Sequence, residues 1–338
     1  MNDIDYIKNF ASDFKRSKFQ INDIFESDSE LLDFTQILGS NLLAVSTDSI
    51  SEEIEYGIYR DPYLIGWMLI VSNISDLSAV GATPLGALIN LTFEHANKDN
   101  SEYLTRLRDG IIDAVDKCGI HIFGGDTNFS SKTNYAATVF GKVDPNFKMT
   151  RKGAKPGDLL YTTDKVGLGN CFAANLIFDM NLDIEYQPAP RIDEGQIIRK
   201  YASSCMDTSD GLVHALAQLI TLNDIGFGLN APLTDYIRPE CFSLSEKIGE
   251  PALVFLAGIL GEYELVFTVP EEQNEVFIQD ATDHDFSPVY LGRVLEDPKL
   301  SVKVGEHDIP IQYKAILEDT STNLGEYISN LRNLFRQQ

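Results

Sequence analysis

The stretch from Asn73 to Pro84, NISDLSAVGATP, constrains this chain more than any other segment. It follows the apolar run YLIGWMLIV and precedes LGALINLTF, yet it places Asn73, Ser75 and Asp76 between them. From Pro62 to Val80 the pattern is helical, with a proline suited to the first turn and Gly81 as a stop. A carboxylate inside such a helix is costly to bury unless a partner or a cation compensates it. The segment therefore raises the question of what a carboxylate does in an otherwise buried, apolar helix.

Around it, strands are predicted at 42–48, 85–93, 120–123 and 134–143. Between them Leu104, Leu107, Ile111, Ile112 and Val115 fall at helical spacing, and Gly119 ends that run. The stretch around 144–157 is rich in Pro, Gly and Lys and marks a domain junction. Beyond it come a strand at 159–164, a glycine turn at Gly167 and Gly169, and helices at 170–180, 194–203 and 212–222. Further strands are expected at 263–269, 288–294 and 300–304. Strands and helices mix in both halves, which predicts an α+β fold of two domains, 1–150 and 151–338.

Acidic residues outnumber basic ones, 51 to 27, for a formal charge of -24. Such a surface repels nucleic-acid phosphates and anionic lipid, so those partners are excluded and any polyanionic ligand needs metal ions. The four cysteines are far apart, without a zinc-ligand or disulfide spacing. The first residues lack a signal-peptide pattern, and the longest strongly apolar run, 252–260, is too short to span a bilayer. A cytoplasmic protein is expected.

Aspartates recur at the ends of strands or beside small-residue turns: Asp48 in VSTDS, Asp76 in NISD, Asp126 in FGGDT, and Asp207 with Asp210 in MDTSDGL. Oxygen ligands without nearby His or Cys suit Mg²⁺ held by carboxylates and substrate phosphates. Transfer of a phosphoryl group from ATP needs that arrangement. Gly124 and Gly125, like Gly167 and Gly169, would let backbone N–H groups approach phosphate oxygens. No Walker A or dinucleotide fingerprint is present. Each aspartate alone also fits a turn or a helix cap, and Asp210 before Gly211 is a good N-cap candidate.

Taken in order, STD, NISDLSAVGATP, GGDT, RKGAKPGD, MDTSDGL and GEYELVFTV resemble thiamine-monophosphate kinase and its superfamily. That superfamily also holds aminoimidazole ribonucleotide synthetase, selenophosphate synthetase and the hydrogenase-maturation dehydratase. The resemblance implies ATP and Mg²⁺ as cofactors, with Asp48, Asp76, Asp126 and Asp210 as metal ligands and Asp76, Asp126 and Asp210 as catalytic residues. It puts Gly124, Gly125, Thr127 and Arg151 beside the nucleotide phosphates. It also implies a homodimer joined through N-terminal strands and a small-molecule phosphate acceptor.

The acceptor half of the signature departs from the family. Gly-Asp-Asp-Ala is matched against LLDFTQILGSN, which keeps Asp33 and offers Phe34; the His-Phe pair is missing; and Glu262, Tyr263 and Glu264 lack one acid. Trp67, Tyr63 and Tyr263 are candidates for stacking on a flat acceptor, or core residues. The expected activity is phosphoryl transfer from ATP to thiamine phosphate. The alternatives are a paralogue acting on another small molecule and a nucleotide-binding member with reduced catalysis.

Overall fold

The computed structural model describes residues 21–23, 26–33, 38–97, 100–317, 330 and 333–335. The helix predicted around Asp76 is present as α2, Pro62–Ala79, after the short α1, Ser51–Glu55. Asp61 caps α2 by accepting from the Tyr63 N–H at 3.1 Å, and Pro62 occupies the first turn, where no hydrogen bond is lost. Nearly every residue from Ile65 to Ala79 is buried, because α2 packs on several sides at once. It lies on α3, Ser101–Cys118, and on three strands of the first sheet. It also contacts β7, Ser204–Asp207, and α5, Ile192–Ile198, in the second half of the chain.

The first sheet has the order β1-β2-β5-β3-β4, with β1 Glu30–Leu32, β2 Leu42–Ser49, β3 Thr83–Glu94, β4 His121–Ser130 and β5 Asn134–Val143. All neighbours are antiparallel except β3 and β4, which α3 joins as a crossover. The second sheet runs β12-β11-β8-β10-β6-β9-β7. Its strands are β6 Leu159–Thr162, β8 Gly226–Leu229, β9 Leu265–Val269, β10 Val289–Leu295, β11 Leu300–Val304 and β12 His307–Ile311, in addition to β7. Helices α4, Leu168–Ile177, and α6, Leu212–Asn223, belong to this half, and α6 supplies much of its core.

The region around GGDT differs from its sequence reading. A buried strand was expected to stop at Phe123 before a glycine turn, but β4 continues through Gly124, Gly125, Asp126 and Thr127 to Ser130. A register irregularity, with Ala87 opposite Ile122 and Leu88 opposite Gly124, lets Phe123 bulge out. Gly125 is dictated by that pairing, since a Cβ there would lie 2.1 Å from the Ile89 carbonyl oxygen. As an edge strand, β4 leaves residues 121–129 exposed.

Candidate active site

Three carboxylates meet where α2 reaches the second half: Asp28 ahead of β1, Asp76 on α2 and Asp207 at the end of β7. One oxygen from each lies within 4.8 Å of the others. Their surroundings explain the polar insertion in α2. Asp76 accepts from Ser46 Oγ of β2 at 2.5 Å, and Ser75 Oγ donates to Asp207 at 2.7 Å. Ser209 Oγ donates to the other Asp207 oxygen at 3.1 Å. Asn73 is fully buried; its amide donates to the Leu69 carbonyl, and its own Oδ1 has no partner.

Among the described residues, Arg151 is the cation at this junction. Its Nε donates to Asp28 Oδ1 at 2.8 Å, its Nη2 reaches the same oxygen, and its Nη1 donates to Gln218 Oε1 on α6 at 2.9 Å. Backbone bonds fix the segment on both sides. The Arg151 N–H donates to the Glu26 carbonyl, and the Asn223 amide donates to the Arg151 carbonyl. Among the described residues, Asp28 Oδ2 is buried without a partner.

One guanidinium does not offset three acids. Burial, then the neighbouring Asp207 and Asp28, raises the Asp76 carboxyl well above the ordinary range. Burial and Asp28 raise Asp207, and burial outweighs Arg151 in raising Asp28. A group of acids that resists ionisation is one that a cation stabilises. The donor set is all oxygen, as Mg²⁺ requires, and octahedral ligands at ~2.1 Å stand at most ~4.2 Å apart, so a small contraction would seat the ion. The residues present therefore fit a hard divalent cation.

The sequence-predicted residues separate into two groups. Asp210, before α6, stands close enough to add to the burial that raises Asp48 and Asp28, and Asp48, at the exposed end of β2, adds in the same way to Asp76. Asp210 caps nothing, because Gly211 holds the N-cap position of α6; its carboxylate instead lies 3.0 Å from His214 Nδ1. Asp126 is elsewhere. Asp48 pairs with Ala137, Ala137 with Ile89 and Ile89 with Gly125, so three strand spacings, about 14 Å, separate Asp48 from the GGDT stretch within one chain. Asp126 accepts from Asn128 at 2.7 Å and faces solvent with Gly124, Gly125 and Thr127.

Other expectations are corrected. The acid ahead of the first strand is Asp28, not Asp33: a three-residue strand precedes the one taken as first, and Ser29 follows Asp28. Asp33 follows β1 outside the cluster, and Phe34 lies outside the described residues. The Gly167–Gly169 turn holds no open cradle, because the Gly167 N–H donates to Glu262 Oε2 at 2.8 Å. Gly169 is required by packing, since a Cβ would meet the Gly261 carbonyl oxygen at 2.1 Å. Trp67 and Tyr263 are core residues, Trp67 donating to the Pro188 carbonyl at 2.8 Å. Tyr63 donates to Asp113 and lines a surface cavity of about 280 Å³ with Phe172 and Tyr186.

A two-sheet α+β chain with carboxylates gathered at the junction defines a class, and comparison with known proteins agrees. Residues 28–143 match the family described as AIR synthase related protein, N-terminal domain. Thiamine-monophosphate kinase of Buchnera aphidicola subsp. Acyrthosiphon pisum is 30% identical over 273 residues, covering 77% of this chain and 81% of that protein. The Escherichia coli K12 enzyme of the same name is 30% identical, covering 68% of this chain and 71% of its own length. The fold matches AaThiL complexed with AMPPCP and TMP at a TM-score of 0.73 and 23% identity, over 91% of this chain and 96% of that one. The chain belongs to the thiamine-monophosphate kinase family.

Proposed function

We propose that this chain transfers the γ-phosphoryl group of ATP to thiamine monophosphate, giving thiamine diphosphate and ADP. The observation that carries the reading is the meeting of Asp28, Asp76, Asp207 and Arg151 at one junction, in a chain 30% identical to enzymes of that name. Asp28, Asp76 and Asp207 would hold Mg²⁺, with Asp48 and Asp210 at the mouth; bound there, the ion neutralises charge on the polyphosphate. An acceptor phosphate is already ionised at neutral pH, so no side chain needs to take its proton. Its oxygen bonds to the γ-phosphorus while the bridging oxygen leaves with ADP, keeping the electron pair. The chain's part is to position two anions in line and, through Arg151, to offer a planar pair of donors to phosphate oxygens.

We assign the GGDT stretch to a site completed in a homodimer. Its support is the exposed apolar character of the edge strand and its neighbour, with Phe123 of β4 at 57% and Leu88 of β3 at 41% exposure. The expected compartment is the cytoplasm, with the four cysteines buried and free. Among the described residues, no helix is long and apolar enough to cross a membrane. Purified chain with ATP, Mg²⁺ and thiamine monophosphate should form equimolar ADP and thiamine diphosphate, resolved by chromatography. ATP-dependent thermal stabilisation without thiamine diphosphate would defeat the acceptor assignment. For the dimer, Phe123→Lys should shift the sedimenting species from dimer to monomer; a wild-type monomer at assay concentration would refute it.

A further inference from the structure

We infer that Arg151 and a divalent cation compete for Asp28, so that the cleft takes up metal together with nucleotide and resists metal alone. The inference rests on the reading of this cluster as the metal site, and goes beyond it to how the site is loaded.

Asp28 is divided between two roles. Its Oδ1 receives both Nε and Nη2 of Arg151, its Oδ2 is buried and unpartnered among the described residues, and one oxygen of the same carboxylate lies within 4.8 Å of oxygens of Asp76 and Asp207. The two side chains are 1% and 12% exposed, so water screens little between them. A dication seated among the three acids would face a guanidinium across a single carboxylate. Arg151 cannot simply swing out to water, because Gln218 holds its Nη1 and its backbone is tied to Glu26 and Asn223. Only another buried anion can replace Asp28 as its partner. The phosphate chain of a nucleotide is such an anion, and it arrives with the metal.

The consequence is a positive coupling: nucleotide removes the competitor for Asp28, and metal at Asp28 releases the guanidinium for phosphate. By linkage each ligand raises the affinity for the other by the same factor. In a protein carrying -24 formal charge this device also discourages stray divalent ions from occupying the cleft.

Titration of the full chain with Mn²⁺ alone, followed by calorimetry, tests this directly. Arg151→Met should bind Mn²⁺ at least about tenfold tighter than wild type, within the usual range of such couplings. Arg151→Lys, which keeps the charge, should stay near wild type. If the Met variant does not fold, Arg151→Gln serves as the neutral variant, able to donate to Asp28. With Mn²⁺ saturating, affinity for a non-hydrolysable ATP analogue should fall about tenfold in the neutral variant. Unchanged or weaker Mn²⁺ binding in the neutral variant overturns the proposal, as does equal tightening in Arg151→Lys. Wild-type protein that binds no Mn²⁺ even with the analogue present would instead overturn the metal-site reading, and the competition with it.

Discussion

Two buried acidic regions lie at one end of the β7–β9 pair, where Asp207 closes β7 and Glu264 leads into β9, and they are treated differently. Beside the glycine turn, each acid has its own partners. Glu262 accepts from the Gly167 N–H and from Thr208, while Glu264 accepts from Arg191 at 2.5 Å and from Thr163 at 2.5 Å. At the α2 junction three acids share one arginine among the described residues, and an oxygen of Asp28 has no partner among them. Buried polar groups are normally satisfied, so the second region is the one that the reading proposed above completes with a ligand. The first region holds the fold together; the second is where chemistry is expected.

The largest effect should come from Asp76→Asn. It removes a ligand and a like charge together, so kcat should fall by about 10³-fold or more, while the thermal midpoint of the metal-free protein should hold or rise. A large fall in that midpoint would place Asp76 with the structural acids. Arg191→Met should do the reverse. It leaves Glu264 buried without its cation, a loss of about 3–5 kcal/mol in denaturant unfolding, with turnover per folded molecule retained. Stability close to wild type would remove the contrast.

A pH scan sharpens the comparison without mutation. Burial raises Glu262 to about 8, and Asp28, Asp76 and Asp207 are raised in the same direction. Each binds its proton more tightly folded than unfolded, so its contribution is full below the ordinary carboxylate pKa of about 4 and is lost as pH rises through the raised value. The metal-free thermal midpoint should fall between about pH 5 and pH 8, and Mg²⁺ with an ATP analogue should recover the part due to the aspartates. A flat profile would mean that these groups ionise freely. The smallest effect is expected from Asp210→Asn, which should change stability by less than about 0.5 kcal/mol. The loss of about 1 kcal/mol typical of a helix cap would show that Asp210 caps α6 after all.

Much of this architecture is legible in the sequence because its signals are local. Pro62, Gly81 and the apolar run between them specify α2, and the aspartate inside it announces a site. The site's membership is less legible. Asp28 precedes a three-residue strand, too short to show any period, so the sequence pattern points to Asp33 instead. Asp207 looks like one more strand-end acid until Ser75 of α2 is seen to hydrogen-bond it from 132 residues away. Glycine marks close backbone approach without saying what approaches: at Gly169 it is the carbonyl of Gly261, and at Gly125 the carbonyl of Ile89 on the neighbouring strand. Sheet order decides the position of Asp126, and order is set by long-range pairing that no segment records.

Anomalous diffraction from crystals grown with Mn²⁺ and a non-hydrolysable ATP analogue addresses the central claim most directly. A manganese peak bounded by Asp28, Asp76 and Asp207, with the analogue's phosphates against it, is the expected result. A peak bound elsewhere, with these three carboxylates free of metal, would contradict it.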